Sequence, residues 1–221
     1  MEANNFIKYT PIDNQNHTPL ERSAEYRAFL NQRRSLRFFS NKEVSKETIE
    51  NIIMTASSAP SGAHKQPWVF CAISSVDIKE KIREAAEKEE HISYNGRMSE
   101  EWLEDLKKFE TDWNKPFIDI APWIIVLFKK AYDLDEDGKK MKNYYVNESV
   151  GIAAGFFISA VHNAGLVTLT HTPSPMNFLQ KLLGRPDNER PFLLLPVGYP
   201  ADDAVVPVLE RKAAEDVIVY Y

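Results

Sequence analysis

The sequence predicts a mixed helix-and-sheet fold, an α+β or α/β sandwich. Three apolar runs, 68–73, 123–130 and 192–200, have the length and composition of buried strands, and segments with helix-start signals separate them. The stretch 147–166 is apolar nearly all round, which is typical of a helix that must be buried. With 221 residues and no internal repeat or linker, the chain is expected to form one domain, 1–221.

Local signals define the first two helices. Thr18, Pro19 and Glu21 combine an N-cap, a first-turn proline and a capping-box glutamate, so we expect a helix from there to Asn31. A second helix is predicted over 45–59, where isoleucines recur on one face. Both helices precede the first apolar strand.

The middle of the chain carries much of its charge. A turn-rich loop, 60–67, leads into the first strand, and two charged helices are predicted at 76–94 and 99–113. The acidic and basic segment 133–140 is expected to be a solvated loop. Most of the charged residues in the middle of the chain therefore lie in the segments that connect the apolar strands.

Both ends of the chain lack periodicity. Residues 1–17 are expected to form an arm, and 201–221 an extension that pairs with an edge or a partner subunit. Before that extension we expect a strand at 166–172 and a short helix from Pro175 that Gly184 ends. The two aperiodic ends and the helix rich in small residues favour an intertwined dimer.

Composition excludes several classes of protein. The net charge of -5 leaves no dominant basic face for nucleic acid. The five histidines include no pair at metal-ligand spacing, so no metal site is expected. The single cysteine, Cys71, permits no internal disulfide and suits a reducing compartment. No signal peptide and no apolar run of the ~18 residues needed for a membrane span is present. The expected location is therefore the cytoplasm, with no membrane partner.

Separate polar groups could bind a phosphate or a flat ring. Arg33, Arg34 and Ser35 offer guanidinium groups and a hydroxyl, which suit a phosphate. The two arginines could equally be cations that interact with the dipole at the C-terminal end of the first helix. The loop 60–64 offers backbone amides. Other candidates are Arg37, the strand-end hydroxyls of Thr170 and Thr172, and the isolated cation Arg211. Each of them alone could also be ordinary surface or turn.

Five collinear motifs together resemble one known family. The segments "RRSLRFFS", "APSGAHKQPW", "HNAGLVTLTHTP", "LGRP" and "LLPVGYP" are similar to those of the nitroreductase-like flavoprotein superfamily, and within it to the iodotyrosine deiodinases. The resemblance extends from about residue 20 to the end. It implies a three-layer α/β/α sandwich in an intertwined homodimer with exchanged terminal segments and FMN at the subunit interface. Mammalian members have an N-terminal membrane anchor that this sequence lacks, so we expect a soluble version.

The resemblance also implies the residues that bind FMN. The phosphate and ring edge would contact Arg33, Arg34, Ser35, Arg37 and Arg211, and the loop against the flavin would supply Ser61 and Gly62. The strand end would supply Thr170, His171 and Thr172. Thr172 is implied to be the catalytic side chain near the flavin N5. His171 stands where mammalian relatives have threonine, so its contact is expected from the backbone alone.

A carboxylate, a phenol and an ammonium could form the substrate site. Glu90 and Tyr94 are four residues apart and share a helix face, and Lys115 can fold back over them. From the residues alone, these groups could equally belong to a solvated, charge-rich surface. The resemblance implies that they bind an amino-acid zwitterion within a lid, about 87–116, and that the Ala63 backbone N–H binds the phenolate oxygen.

The implied reaction is the FMN-dependent reductive dehalogenation of halotyrosines. Mono- or diiodotyrosine plus two electrons would give tyrosine and halide. The alternatives are a generic NAD(P)H-dependent nitro or quinone reductase of the same superfamily, and a non-catalytic protein that binds flavin or halotyrosine. The expected electron donor is NAD(P)H or a separate reductase, since no dinucleotide fingerprint is present.

Overall fold

The structure is a computed structural model that describes residues 6–13 and 16–221. The chain divides into two compact units, 1–33 and 34–221. The predicted arm, 1–17, lies partly outside the described residues, which omit 1–5 and 14–15. The expectation of a single domain stays a prediction.

Among the described residues of the first unit there is one helix, α1 (Pro19–Asn31), which begins at the predicted capping box. The Thr18 backbone N–H donates to Glu21 Oε2 at 2.7 Å, and the Glu21 backbone N–H donates to Thr18 Oγ1 at 3.2 Å. The last turn holds no basic residue, because Arg33 and Arg34 follow the C-cap, Gln32. They still lie directly at the C-terminal end of α1, as the sequence predicted, so their role as cations at a helix end stays an alternative.

The second unit contains six further helices and six strands. The helices are α2 (Lys46–Ser57), α3 (Val76–Ile92), α4 (Glu100–Lys107), α5 (Phe117–Ile120), α6 (Val146–Asn163) and α7 (Asn177–Leu182). The strands are β1 (Trp68–Ile73), β2 (Trp123–Lys130), β3 (Tyr132–Leu134), β4 (Lys140–Lys142), β5 (Val167–Thr168) and β6 (Glu189–Gly198). Across 6–13 and 16–221, no helix has the length and apolarity needed to cross a bilayer.

The main sheet is antiparallel, in the order β1-β2-β6-β5. Alternate side chains of the central strand β2 enter two separate cores, as the period of two in a strand requires. Ile125 and Leu127 pack with residues of α2 and α6. Val126 and Phe128 pack with residues of α3, α5 and α7. The three-layer α/β/α sandwich is confirmed, and its antiparallel strands make it α+β.

Four elements differ from the sequence predictions. The second charged helix ends at Lys107, and Glu110 has φ 46° in the turn that follows, which stops the helix short of 113. Two residues of the strand expected at 166–172 form β5, and His171 adds an isolated bridge to Leu194. The expected loop, 133–140, lies within the short hairpin β3–β4, whose turn is formed by 135–139, and the one-turn helix α5 was not predicted.

Helix α6 is buried on only one side within a single chain. Val150, Ala153, Ala154, Phe157 and Val161 are buried against the sheet and α2. The opposite side contains two glycines, and a Cβ added to either would meet no atom within 4 Å; it comprises Gly151, Ile152, Gly155 and Phe156. The expectation of burial on every side is not met within one chain. The intertwined dimer stays a prediction.

Candidate functional site

A cavity of about 410 Å³ lies in the second unit, between the end of α3, α4, the segment before α5 and the strand end after β5. Its lining brings together seven of the residues predicted from the sequence: Arg37, Glu90, Tyr94, Lys115, Thr170, His171 and Thr172. Candidates for cofactor binding and for substrate binding therefore share one cavity.

The end of α3 positions two of the substrate-site candidates. Glu90 lies in the last turn of α3, and Tyr94 lies in the π-helical turn Ser93–Arg97 that continues it. The predicted shared face is present, since both side chains line the cavity. Wide π-turns of this kind frequently occur at functional sites.

Lys115 is brought to the same place by an ion-pair network that the sequence analysis missed. The Lys115 backbone N–H donates to Glu87 Oε1 at 2.7 Å. Arg83 pairs with Glu87 at 2.7 Å and with Asp119 of α5 at 2.6 Å. Arg83 thus ties α3 to both sides of Lys115. The spacing of Arg83 and Glu87, four residues on a helix, was the available signal.

Glu90 and Lys115 are buried, at 8% and 4% exposure, so the alternative of a solvated charged surface is wrong. The Lys115 Nζ atom lies 3.8 Å from Glu90 Oε2 and donates to Thr111 Oγ1 at 3.3 Å and to the Asp112 carbonyl. Burial raises the pKa of the Glu90 carboxyl and lowers the pKa of the Lys115 ammonium, and each group opposes the shift of the other.

The phenol of Tyr94 completes this side of the cavity. Its hydroxyl donates to the Thr111 carbonyl at 3.2 Å. Burial, and then the Glu90 carboxylate, raise the pKa of the phenol, so it stays a protonated donor at neutral pH. The site therefore offers a carboxylate acceptor beside an ammonium and a phenol, both of which donate.

His171 faces the carboxylate from the opposite wall. Its backbone N–H and C=O both bond to Leu194, each at 2.9 Å, and its ring packs edge-on against Phe117 with centroids 5.5 Å apart. The Nε2 atom is buried without a hydrogen-bond partner, 3.9 Å from Glu90 Oε1. Because the backbone N–H is bonded in the sheet, it is the ring of His171 that faces the cavity.

Arg37 joins the wall through the edge of the sheet. Ser35 forms a parallel bridge with Thr168, and the strand end continues from there to Thr170 and Thr172. Burial lowers the pKa of the Arg37 guanidinium. The second half of the "RRSLR" motif therefore lies beside the strand-end hydroxyls.

Several predicted cofactor residues do not line this cavity. Arg34 donates from its guanidinium to the Pro207 carbonyl. Arg33 belongs to the first unit. The remaining predicted residues outside the lining are Ser35, Ser61, Gly62, Ala63 and Arg211.

The loop that carries Ser61, Gly62 and Ala63 packs against the start of α6. The Gly62 N–H donates to Ser149 Oγ at 3.2 Å, and a Cβ on Gly62 would come within 3.0 Å of the Tyr144 carbonyl oxygen. Ala63, His64 and Gln66 all have positive φ, at 49°, 54° and 46°. Such a cluster of left-handed residues is costly and is typical of functional loops.

The outer wall of the cavity also contains residues that the sequence analysis did not single out. Trp102 and Leu106, four residues apart on α4, line the cavity with Arg97. Arg97 pairs with Glu89 at 2.6 Å and donates to the Ser174 carbonyl at 3.3 Å, which links the π-turn to the strand end. The spacing of Trp102 and Leu106 was the signal for this wall.

The chain is similar to one known protein family over most of its length. The profile of the nitroreductase family matches residues 30–199, which is most of the chain. The chain therefore belongs to the nitroreductase family. Its nearer relatives define the position within that family.

An iodotyrosine deiodinase of Haliscomenobacter hydrossis is 63% identical over 216 residues, covering 98% of this chain and 97% of the relative. One of Danio rerio is 46% identical over 216 residues, covering 96% and 72%. The crystal structure of an oxidized iodotyrosine deiodinase bound to FMN and 3-iodo-L-tyrosine has a TM-score of 0.74 and 29% identity, covering 89% of this chain and 98% of that one. Within the nitroreductase family, the chain belongs to the iodotyrosine deiodinases.

Proposed function

We propose that this protein catalyses the FMN-dependent reductive dehalogenation of halotyrosines, with mono- and diiodotyrosine as the substrate class. The observation that carries the proposal is the cavity in which Glu90, Tyr94 and Lys115 face the strand-end residues Thr170 and Thr172. A receptor for an amino-acid zwitterion thereby lies next to the hydroxyls expected to contact a flavin. The relatives named as iodotyrosine deiodinases support the same assignment.

The groups around the cavity suit FMN. Arg37 supplies a partly buried cation, and Thr170 and Thr172 supply hydroxyl donors at the same strand end. The cavity volume of about 410 Å³ lies in the range of small-molecule sites. We propose that these residues, with Arg33, Arg34, Ser35 and Arg211, hold the phosphate and ring, and that Thr172 is the side chain nearest the reacting part of the cofactor. In its reduced form, bound FMN would supply the two electrons of the reduction.

The zwitterion site offers partners to both ends of the amino acid. The substrate ammonium would pair with Glu90, and its carboxylate with Lys115 and Tyr94. Because burial raises the pKa of Glu90, an incoming ammonium would favour the ionised carboxylate and be held strongly in return. Lys115 now donates to Thr111 and Asp112, and a carboxylate could replace those acceptors without moving the backbone.

A second proposed recognition element is the charge of the substrate phenol. An ortho halogen withdraws electrons and lowers the phenol pKa from the tyrosine value of about 10 toward neutrality. A halotyrosine could then bind as the phenolate, whose oxygen accepts a hydrogen bond from the Ala63 backbone N–H. Unmodified tyrosine would first have to lose its phenol proton to bind in the same way. Affinity in a series of ortho-halotyrosines should follow phenol ionisation, and affinity that is independent of pH would contradict this idea.

The proposed enzyme is a homodimer whose sites need both chains. Ser61, Gly62 and Ala63 do not line the cavity of their own chain, and the side of α6 with Gly151 and Gly155 is exposed in one chain. Two small residues allow a second helix to approach closely. The extension 201–221 also exposes apolar side chains, with Val208 at 98% and Tyr220 at 87%. We propose that the α6 face and the extension pair with a second copy, which brings the 61–63 loop to the partner's cavity.

Within such a site, the chain itself would orient the substrate and exclude water. Glu90, Lys115 and Tyr94 would fix the zwitterion, and closure of the lid, about 87–116, would cover the ring. The net change is halotyrosine plus two electrons and one proton to tyrosine and halide, with the proton added at the carbon that loses the halogen. A cytoplasmic location and NAD(P)H or a separate reductase as electron donor are also proposals. The first is supported by the single cysteine.

The direct test mixes anaerobically reduced, FMN-loaded protein with diiodotyrosine. We expect iodide release in step with flavin reoxidation. Reoxidation by nitroaromatic compounds but not by diiodotyrosine would replace the proposal with a generic reductase. Halotyrosine binding without iodide release would indicate a binding protein instead.

A further inference from the structure

The imidazole of His171 has a buried nitrogen atom, Nε2, that makes no hydrogen bond. Within 6–13 and 16–221, its Nε2 is the sole buried side-chain nitrogen without a hydrogen-bond partner. Buried polar atoms in native proteins are nearly always paired, so such an atom that faces a cavity indicates a ligand group. His171 is 7% exposed and lines the cavity, so the missing partner would lie inside it.

The ring is held firmly in this orientation. Two backbone hydrogen bonds to Leu194, each 2.9 Å, fix the residue to the sheet. The Phe117 ring stands nearly perpendicular to the imidazole, at 88°, and restricts its rotation. A ligand would therefore meet a nitrogen in a fixed position.

The charged groups around the ring determine what it can bind. Glu90 of α3 faces Nε2, while Lys115 and Arg37 approach from the segments before α5 and before α2. Burial and these two cations lower the pKa of the imidazole to about 3, so it is neutral at physiological pH. A neutral imidazole has one nitrogen that accepts a hydrogen bond.

The distance between Glu90 and His171 limits the size of a ligand group that could bond to both. Its Oε1 lies 3.9 Å from Nε2, too far for a direct hydrogen bond. A single donor atom that carries two hydrogens, about 2.9 Å from each of them, fits between them. A primary ammonium meets this requirement, and its positive charge also satisfies the carboxylate.

We propose that His171 Nε2 accepts a hydrogen bond from the α-ammonium group of the amino-acid substrate, which Glu90 binds at the same time. This inference rests on the proposed function and assigns His171 to substrate recognition, in addition to the cofactor contact that its sequence position implies. The ammonium then has two acceptors, one on each of two opposite walls of the cavity. An amino acid with a free α-ammonium is thereby distinguished from an analogue without one.

The test compares two variants and two ligands on the FMN-loaded protein. In His171→Gln, the amide oxygen can occupy the place of Nε2, whereas the shorter side chain of His171→Asn cannot reach it. The ligands are diiodotyrosine and its deaminated analogue, 3-(4-hydroxy-3,5-diiodophenyl)propanoate. Dissociation constants come from quenching of flavin fluorescence, and FMN content from absorbance.

The expected pattern separates recognition from structural damage. His171→Asn should bind diiodotyrosine about ten- to a hundredfold more weakly, the effect of losing one hydrogen bond to a charged group. His171→Gln should remain within about threefold of the unchanged protein. The deaminated analogue should bind all three proteins equally, and all three should retain FMN.

Three results would overturn the role of His171: unchanged affinity in His171→Asn, a loss in His171→Gln as large as that in His171→Asn, or an equal loss for the deaminated analogue. Failure of the proposed function looks different, because it appears in the unchanged FMN-loaded protein, which after reduction would release no iodide from diiodotyrosine. If the unchanged protein does not bind diiodotyrosine at all, the role of His171 is overturned as well.

Discussion

The two walls of the cavity are built from different interactions. The wall at 168–172 is joined to the sheet by backbone hydrogen bonds, among them the two between His171 and Leu194 at 2.9 Å. The opposite wall, from Glu90 to Lys115, is held largely by side chains, such as the Arg83–Glu87 pair at 2.7 Å. Helix α4 in that wall buries no residue. A segment with few buried contacts opens at low cost, so the first wall is the fixed one and the second is able to act as a lid.

This difference suits an enzyme that keeps its cofactor and exchanges its substrate. Thr170 and Thr172, proposed to contact FMN, lie on the fixed wall with His171, whereas Glu90, Tyr94 and Lys115, proposed to hold the zwitterion, lie on the other wall. Substitutions in the two walls should therefore have separable effects. The following four changes test that separation.

Leu194→Ala should have the largest effect, because it damages the fixed wall. Leu194 is fully buried, at 0% exposure, and its backbone holds His171. Loss of a buried leucine side chain should lower the free energy of unfolding by about 2–5 kcal/mol, and FMN binding should weaken with it. Denaturant unfolding measures the change. Leu134→Ala is the matched control, since Leu134 is 58% exposed and should cost under about 0.5 kcal/mol.

Glu90→Gln should affect the substrate and leave the cofactor bound. Removal of the buried charge that pairs with an ammonium should weaken diiodotyrosine binding about a hundredfold, while FMN content stays the same. Titration of the FMN-loaded protein measures both. The exposed Glu84→Gln on the same helix should change neither. Normal halotyrosine affinity in Glu90→Gln would remove the zwitterion assignment.

Arg83→Met should loosen the lid at its base. The change removes bonds to Glu87, Asp119 and Asn114, so Lys115 loses its support. We expect a loss of about 1–2 kcal/mol in stability, roughly tenfold weaker substrate binding and faster proteolysis within 93–113.

A matched control exists on the exposed surface of α4. Lys107 pairs with Glu104, and both side chains are 70% exposed. Lys107→Met should cost well under about 1 kcal/mol and leave proteolysis unchanged. If both variants behave alike, Arg83 does not support the lid.

The pH dependence of stability gives the fourth test. The pKa of His171 is lowered from 6.5 to about 3, so between these values the unfolded chain binds a proton that the folded chain does not. Stability is therefore fully present above pH 6.5 and decreases as pH falls toward 3, by at most about 1.4 kcal/mol per pH unit. His171→Gln should flatten this slope by up to one proton. Equal slopes in thermal unfolding from pH 6.5 to 4.5 would show that His171 is not neutral in the folded protein.

Local signals predicted the elements of the fold well where they were strong. The capping box at Thr18 and the apolar strands β1 and β2 were found because a cap and a run of buried residues are properties of a few consecutive positions. The hairpin β3–β4 and the one-turn α5 were missed, since neither is long enough for a periodic pattern. Helix α4 was predicted too long because its apolar spacing continues past Lys107.

The sequence by itself determined the fold class, the family and the placement of Glu90 and Tyr94 on one shared face, because these follow from caps, periodicity and collinear motifs. Only the tertiary structure decided that Lys115 is buried beside Glu90, where the ion pairs of Arg83 hold the surrounding segments. Only the tertiary structure decided, too, that the ring of His171 faces the cavity rather than its backbone. It also left one face of α6 exposed, contrary to the apolar pattern. These outcomes depend on contacts between residues far apart in the chain, which no local pattern records.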